Sequence, residues 1–214
     1  MKVRVRAQPL TIVLGASGTG KSSVVKAGLL PRLRGSSGES WEVLGLVRPG
    51  ATPLAALSSL TLPGDANASL AERVRRWMEQ RSDAMLMLVV DQFEELVTQG
   101  CSEEERASFQ MQIAGALDAW PERLRVVLTL RSDFEPQFSQ GPLRKRWLSA
   151  VQMVPPLSQD ELREVIEGPA SVRVLYFEPP RLVEKLINDV IQTPGALPLV
   201  SFTLSELYLK YVER

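Results

Sequence analysis

The string Gly15-Ala16-Ser17-Gly18-Thr19-Gly20-Lys21-Ser22 narrows the folds open to this chain more than any other feature. It satisfies the pattern G-x-x-x-x-G-K-[ST] at every fixed position. Glycines let a backbone take positive φ and close around an anion. Successive N–H groups then form a nest for phosphate oxygens, to which the next helix adds its positive dipole end. The flanks agree with this reading. Leu10 to Leu14 (LTIVL) is a short β-branched apolar run, as expected of a buried parallel strand. Ser22 to Leu33 reads as one helix, with Val24, Val25, Leu29 and Leu30 on or near one side. The expected phosphate-binding set is therefore Gly15, Ala16, Ser17, Gly18, Thr19, Gly20, Lys21, Ser22 and Ser23. Within it, Lys21 bridges the β- and γ-phosphates of a nucleotide and the Ser22 hydroxyl ligates Mg²⁺.

Four further strands are expected: Trp41–Val47, Met85–Val90, Leu124–Leu130 and Val151–Val154. Helices are expected over Pro53–Leu60, Ser69–Arg81 and from Ser102 to about Trp120. For the last of these, Ser102 and Glu105 have capping-box spacing. Gly- and Ser-rich Arg34–Ser40 reads as a loop. After Pro156 the texture is helical, over Ser158–Glu167, Pro180–Gln192 and Pro198–Val212. Alternating strands and helices followed by helices alone imply an α/β P-loop domain, residues 1–154, with a five-stranded parallel sheet. A small helical lid, residues 155–214, follows. The last helix runs to the end of the sequence, which reads as a piece of a longer protein.

The strongest strand, MLMLVV, ends in Asp91-Gln92-Phe93-Glu94-Glu95. An Asp at the tip of a buried strand suits a carboxylate that holds Mg²⁺ directly or through water. A carboxylate one turn later can polarise the attacking water; Glu94 is favoured and Glu95 is the alternative. Both glutamates also suit a helix N-terminus for dipole reasons alone. Arg131 follows the strand LRVVLTL. If that strand neighbours Leu10–Leu14, Arg131 faces the γ-phosphate and senses its presence; otherwise it is an ordinary Arg at a sheet edge.

Composition removes competing chemistries. There is no histidine, which rules out Ser-His-Asp and Cys-His catalysis. Lys plus Arg and Asp plus Glu balance at 25 each, so nothing draws the whole chain to nucleic acid or an acidic membrane. Cys101 is the single cysteine, and it suits a structural role in a reducing, cytoplasmic setting. No apolar run approaches the length of a membrane span. Arg144-Lys145-Arg146 and the set Arg73, Arg75, Arg76, Arg81 with Trp77 are read as solvated faces. An arginine finger and a nucleic-acid patch are the sharper alternatives.

Together these residues resemble the STAND class of P-loop ATPases, specifically the novel STAND NTPase 1 group. The phrases that carry the likeness are GASGTGKSS with AGLLPRLR, LVRPG, VVDQFEEL, VLTLRSDF, LREVIEGPA, and PGALPL with LSEL; they span nearly the whole sequence. The resemblance implies an additional-strand core, with the Arg131 strand inserted between the strands of the phosphate loop and of Asp91. It implies ATP or ADP with Mg²⁺, a slow ATPase, and fused effector and sensor domains that oligomerise on activation. A G-x-P motif of the lid is matched only by Gly195-Ala196-Leu197-Pro198, one residue longer. Pro198 is the expected nucleotide contact, although a proline also suits the first turn of a helix. The leading reading is a nucleotide-driven switch. A conventional ATPase or kinase and a non-hydrolysing scaffold are the alternatives. Adenine is expected because the N/T-K-x-D string that selects guanine does not occur.

Overall fold

The computed structural model describes residues 1–35, 40–81, 83–179, 181–193 and 195–213. The loop expected over Arg34–Ser40 falls mostly on residues 36–39, outside the described residues. So do Pro180 at the start of an expected helix, Pro194 in the phrase PGALPL, and the chain end at Arg214. In chain order the elements are α1 (Lys2–Ala7), β1 (Leu10–Gly15), α2 (Lys21–Ser23), a π-helix (Val24–Leu29), α3 (Leu30–Arg34), β2 (Trp41–Val47), α4 (Pro53–Ser58), α5 (Leu70–Gln80) and β3 (Met85–Val90). Then come α6 (Glu95–Thr98), α7 (Glu103–Ala119), β4 (Leu124–Arg131), a 3₁₀ turn (Ser132–Gln137), α8 (Arg144–Ala150), β5 (Val151–Met153), α9 (Gln159–Val172), α10 (Arg181–Gln192) and α11 (Leu197–Val212). By contact the chain forms two compact units. One is Met1–Gly15 with Lys21–Met153, and the other is Ala16–Gly20 with Val154–Arg214.

The first unit is built on a parallel sheet of order β2-β3-β4-β1-β5. Its central strands are almost continuously apolar because both faces are covered, as a parallel sheet requires. Side chains alternate between faces. Leu10, Ile12 and Leu14 of β1, Leu86, Leu88 and Val90 of β3, and Leu124, Val126, Leu128 and Leu130 of β4 share one core with Trp77, Phe109, Ile113 and Trp147 from the helices. The intervening Val13, Met87, Val89 and Val127 are equally buried. Each such side chain contributes about 1.5–3 kcal/mol by leaving water. The insertion of β4 between β1 and β3 pairs Gly15 with Arg131 and Val90 with Leu128, so three strand ends lie side by side.

The single helix expected over Ser22–Leu33 is instead interrupted by the π-helix. The Leu30 N–H reaches back five residues to the Val25 carbonyl. Pro31, in the first turn of α3, has no N–H to continue the α ladder, and a wider turn accommodates that gap. In the second unit α9 runs on through Pro169 to Val172, past the expected end at Glu167. Pro169 and Val165, the residue whose carbonyl it deprives of an α-helical donor, both lie on the exposed side of the helix. The short α1, α6 and α8 have too few residues to show a period and were not expected.

The second unit has a small core of Leu162 and Ile166 from α9, Val183 and Ile187 from α10, and Val200 from α11. Arg163 pairs with Glu167 and with Glu184 across α9 and α10. Each unit contains a helix begun by a capping box, Ser102 with Glu105 and Ser158 with Glu161. Ser102→Ala removes one cap acceptor and should lower stability by about 1 kcal/mol. The expected reading is a lower urea midpoint at unchanged slope. An unmoved midpoint would show that the box adds nothing.

Candidate functional site

The carboxylate of Asp91, at the end of β3, is fully buried. Its backbone N–H donates to the Val47 carbonyl at 2.8 Å, which extends the β2–β3 ladder by one rung. The next residue, Gln92, takes φ +60°, a left-handed conformation unfavourable for a side-chain-bearing residue. That turn is held from β4. The Gln92 N–H donates to Thr129 Oγ1 at 2.8 Å, and the Phe93 N–H donates to the Thr129 carbonyl at 2.9 Å. Thr129 in turn donates its hydroxyl to Asp91 Oδ1 at 2.7 Å, and Ser22 donates to the same oxygen at 2.5 Å. Asp91 Oδ2 faces cations, with Lys26 Nζ at 2.8 Å and Arg48 Nη2 at 3.8 Å. Burial pushes this carboxyl up, but Lys26, Ser22 and Thr129 outweigh it and hold Asp91 below the ordinary carboxylate value.

Lys21 is buried and donates to the Gly15 carbonyl at 3.0 Å. Burial lowers its pKa, opposed by the charge of Glu94. The two glutamates that the sequence left as alternatives point to different tasks. Glu94 Oε2 accepts from the backbone N–H of Arg131 at 3.3 Å, at the strand ends. Burial raises its carboxyl above the ordinary value. Glu95 Oε2 accepts from the Gly50 N–H at 3.0 Å, while Cys101 Sγ donates to the Gly50 carbonyl at 3.1 Å. Glu95 and Cys101 thus fix the Arg48-Pro49-Gly50 turn after β2. Arg131 lies beside Gly15, the neighbour on which its expected sensing role depends. Its guanidinium is engaged by Asp133 through two contacts, 3.1 and 2.6 Å, and stands 5.1 Å from the centre of the Phe134 ring.

In the loop, Gly18 and Gly20 have φ +73° and +83°. Thr19 folds back on the Ala16 carbonyl through its N–H at 3.4 Å and its hydroxyl at 3.0 Å. Ala16, Ser17 and, beyond the loop, Ser23 are exposed. The tip Ala16–Gly20 belongs by contact to the second unit, where a Cβ on Gly18 would stand 2.7 Å from Gly195 Cα. Glycine is required at position 18 twice over, by its φ and by that approach. Of the phrase Gly195-Ala196-Leu197-Pro198, it is Gly195 that meets the loop tip. Pro198 is exposed in the first turn of α11.

These groups suit Mg²⁺. Asp91 and Ser22 are hard oxygen donors brought together by a direct hydrogen bond, and Mg²⁺ is commonly held by one or two protein oxygens with phosphate and water. Among the described residues no group of three or more His, Cys, Asp or Glu side chains could hold a metal unaided. Sequence reasoning missed Lys26, Arg48, Thr129 and Asp133. Thr129 was detectable only as a hydroxyl in an otherwise apolar strand. The basic clusters are largely paired internally: Arg75 with Glu72 and Glu79, Arg81 with Glu42, and Arg146 with Asp118. Arg73 is buried and donates to the carbonyls of Leu57 and Leu60.

A phosphate loop after β1, an acid at the end of β3 and a β4 inserted between those strands define a P-loop nucleoside triphosphatase with an AAA+-like α/β fold. The chain belongs to the novel STAND NTPase 1 family, whose defining sequence pattern matches residues 1–214. Among curated proteins none matches in sequence. The fold is similar to that of the ORC1 protein of Aeropyrum pernix in complex with DNA, at TM-score 0.63 and 18% identity over 96% of this chain and 55% of that one. A Walker-type ATPase of Pyrococcus abyssi aligns at 0.62 and 19%, over 97% and 65%. AMPPCP-bound DnaA from Aquifex aeolicus aligns at 0.58 and 14%, over 96% and 57%. The chain spans between half and two-thirds of these structures. At such identities the likeness carries the fold alone, and the DNA belongs to the ORC1 complex. Among the described residues no helix is long and apolar enough to cross a membrane.

The raised Glu94 carboxyl predicts a pH signature. A group that binds its proton more tightly when folded loses stabilisation as pH rises through the ordinary carboxylate range to the raised value. Glu94→Gln abolishes that loss. The Tm of the variant minus that of the native chain should grow as pH rises from the ordinary carboxylate range, about pH 4, upward. A difference that shrinks over this range would contradict the burial of a charge at Glu94.

Proposed function

We propose that this chain is the nucleotide-operated switch of a larger, cytoplasmic signalling or defence protein. ATP and ADP are its ligands and Mg²⁺ its cofactor, with slow hydrolysis as the reset. The observation that carries the reading is the junction at Asp91, where Ser22, the last residue of the phosphate-loop motif, donates to a fully buried carboxylate at the end of β3. Metal and phosphate would meet at that junction, and the helical segment would serve as the lid.

In this reading the backbone N–H groups of residues 15–20 and the helix that follows cradle the phosphates. Lys21 leaves the Gly15 carbonyl for the β- and γ-phosphates. Asp91 and Ser22 would hold Mg²⁺, which when bound neutralises phosphate charge. Glu94, half-buried and anchored on the Arg131 N–H, orients the attacking water and takes its proton. Arg131 exchanges Asp133 for the γ-phosphate, so the presence of that group is read at the end of β4. The conventional-kinase alternative has less support, because Arg163 in the lid is already matched to Glu167 and Glu184. Fused effector and sensor domains, and assembly into a homo-oligomer on activation, complete the proposal.

The test is nucleotide content and affinity of the purified chain beside Lys21→Ala. ADP that copurifies with the native chain, and is lost by at least about tenfold in the variant, is expected from loss of a charge-assisted phosphate contact. GTP should bind more weakly than ATP. Equal retention by the variant would sink the proposal. The Arg131 exchange makes a second prediction. Asp133→Asn removes a competitor for the guanidinium, so the affinity ratio of a non-hydrolysable ATP analogue to ADP should rise about two- to fivefold, in keeping with a half-exposed ion pair. An unchanged ratio would dissociate Arg131 from the γ-phosphate.

A further inference from the structure

The sequence motifs assign no task to Lys26, the cation 2.8 Å from Asp91 Oδ2. Lys26 lies in the π-helix that follows the phosphate loop, one α-turn beyond Ser22. Both residues reach Asp91. Ser22 and Thr129 donate to Oδ1, and Lys26 lies 2.8 Å from Oδ2. Arg48 Nη2 stands farther from the same oxygen, at 3.8 Å. The Lys26 side chain is 40% exposed, so it is free to move outward, whereas that of Asp91 is 1% exposed and is not.

We infer that Lys26 is a built-in rival of the divalent cation at Asp91, a positioning residue that holds the carboxylate in place and is displaced when Mg²⁺ enters with the nucleotide. The inference rests on the nucleotide reading above and deepens it. The physical argument is one of shared space. With Oδ1 engaged by two hydroxyl donors, Oδ2 is the oxygen open to a cation. A dication bound there at about 2.1 Å would lie within about 5 Å of an ammonium that stayed at its present contact, in a half-buried setting where like charges repel strongly. One of the two must leave, and Lys26 is the one on a long, half-exposed stem. Without Lys26 the buried carboxylate would lose its nearest countercharge, a costly state that Mg²⁺ would then relieve more readily.

The rivalry also bears on the helix. The π-turn carries Lys26 at its third position, so release of the ammonium removes the side-chain tether between this turn and the end of β3. Loss of that contact would be felt along the helical stretch that begins at Lys21.

The test titrates Mg²⁺ into the chain with a fluorescent ADP analogue, for the native chain, Lys26→Met, Lys26→Arg and Asp91→Asn, with an arm in chelator. Far-UV circular dichroism checks that each variant is folded. The expected result is that Lys26→Met lowers the Mg²⁺ concentration for half-maximal binding about three- to tenfold, the range of a partly screened ion pair with a buried carboxylate. Affinity in chelator should stay within about twofold. Lys26→Arg, which keeps the charge, should stay near the native value and supplies the evidence if the methionine variant does not fold. A Lys26→Met midpoint that is unchanged or raised overturns the inference. So does weaker binding in both Mg²⁺ and chelator, because Lys26 would then be a phosphate contact. If native binding is insensitive to Mg²⁺ and to Asp91→Asn, the nucleotide reading itself fails and the inference falls with it. If Asp91→Asn abolishes the Mg²⁺ dependence while Lys26→Met is silent, the inference alone fails.

Discussion

Much of the first unit is arranged around one buried carboxylate. Asp91 is held by Ser22 from α2, by Thr129 from β4 and by Lys26 from the π-helix. A lone charge in such a position would be several kcal/mol out of balance. The structure meets it with two hydroxyl donors and an ammonium, and these contacts tie β4 and the helical stretch after the phosphate loop to the end of β3. The strained backbone at Gln92 belongs to the same arrangement, since its N–H is fixed by the Thr129 hydroxyl that also serves Asp91. Strain of this kind persists where the surroundings over-determine it.

A second theme is that the site's cations are already paired. Lys26 faces Asp91, Arg131 grips Asp133, and Lys21 rests on the Gly15 carbonyl. Phosphate and metal binding then become exchanges of partners. Exchange keeps charge from being stranded in a half-buried site. It also makes affinity a difference between two sets of contacts, which is what a switch needs to distinguish nucleotide states.

How much of this was legible in the sequence depends on the range of the interaction. The phosphate loop, the strand that ends at Asp91 and the capping box at Ser102 are local patterns, and each lies where its period or spacing put it. The insertion of β4 between β1 and β3, expected from resemblance, is seen in the register that pairs Gly15 with Arg131. The different surroundings of Glu94 and Glu95 were not readable, because their partners, the Arg131 and Gly50 N–H groups, are 37 and 45 residues away. Thr129 and Lys26 were hidden for the same reason: their partner Asp91 is distant in sequence and each sits in an unremarkable context. The π-helix could have been suspected from Pro31, but a proline near a helix start more often begins a helix than widens one. Pro198 shows the opposite case, where local helix chemistry is enough to account for the residue.

The central claim is that the Asp91 junction is a metal–nucleotide site. Electron paramagnetic resonance of Mn²⁺ with ADP, in the native chain and in Asp91→Asn, addresses it most directly. The account predicts a protein-bound Mn²⁺ signal that depends on ADP and is weakened at least about tenfold by the substitution, as expected when a charged ligand is removed from a hard-metal site. An Asp91→Asn chain that binds Mn²⁺ and ADP as the native chain does would contradict it.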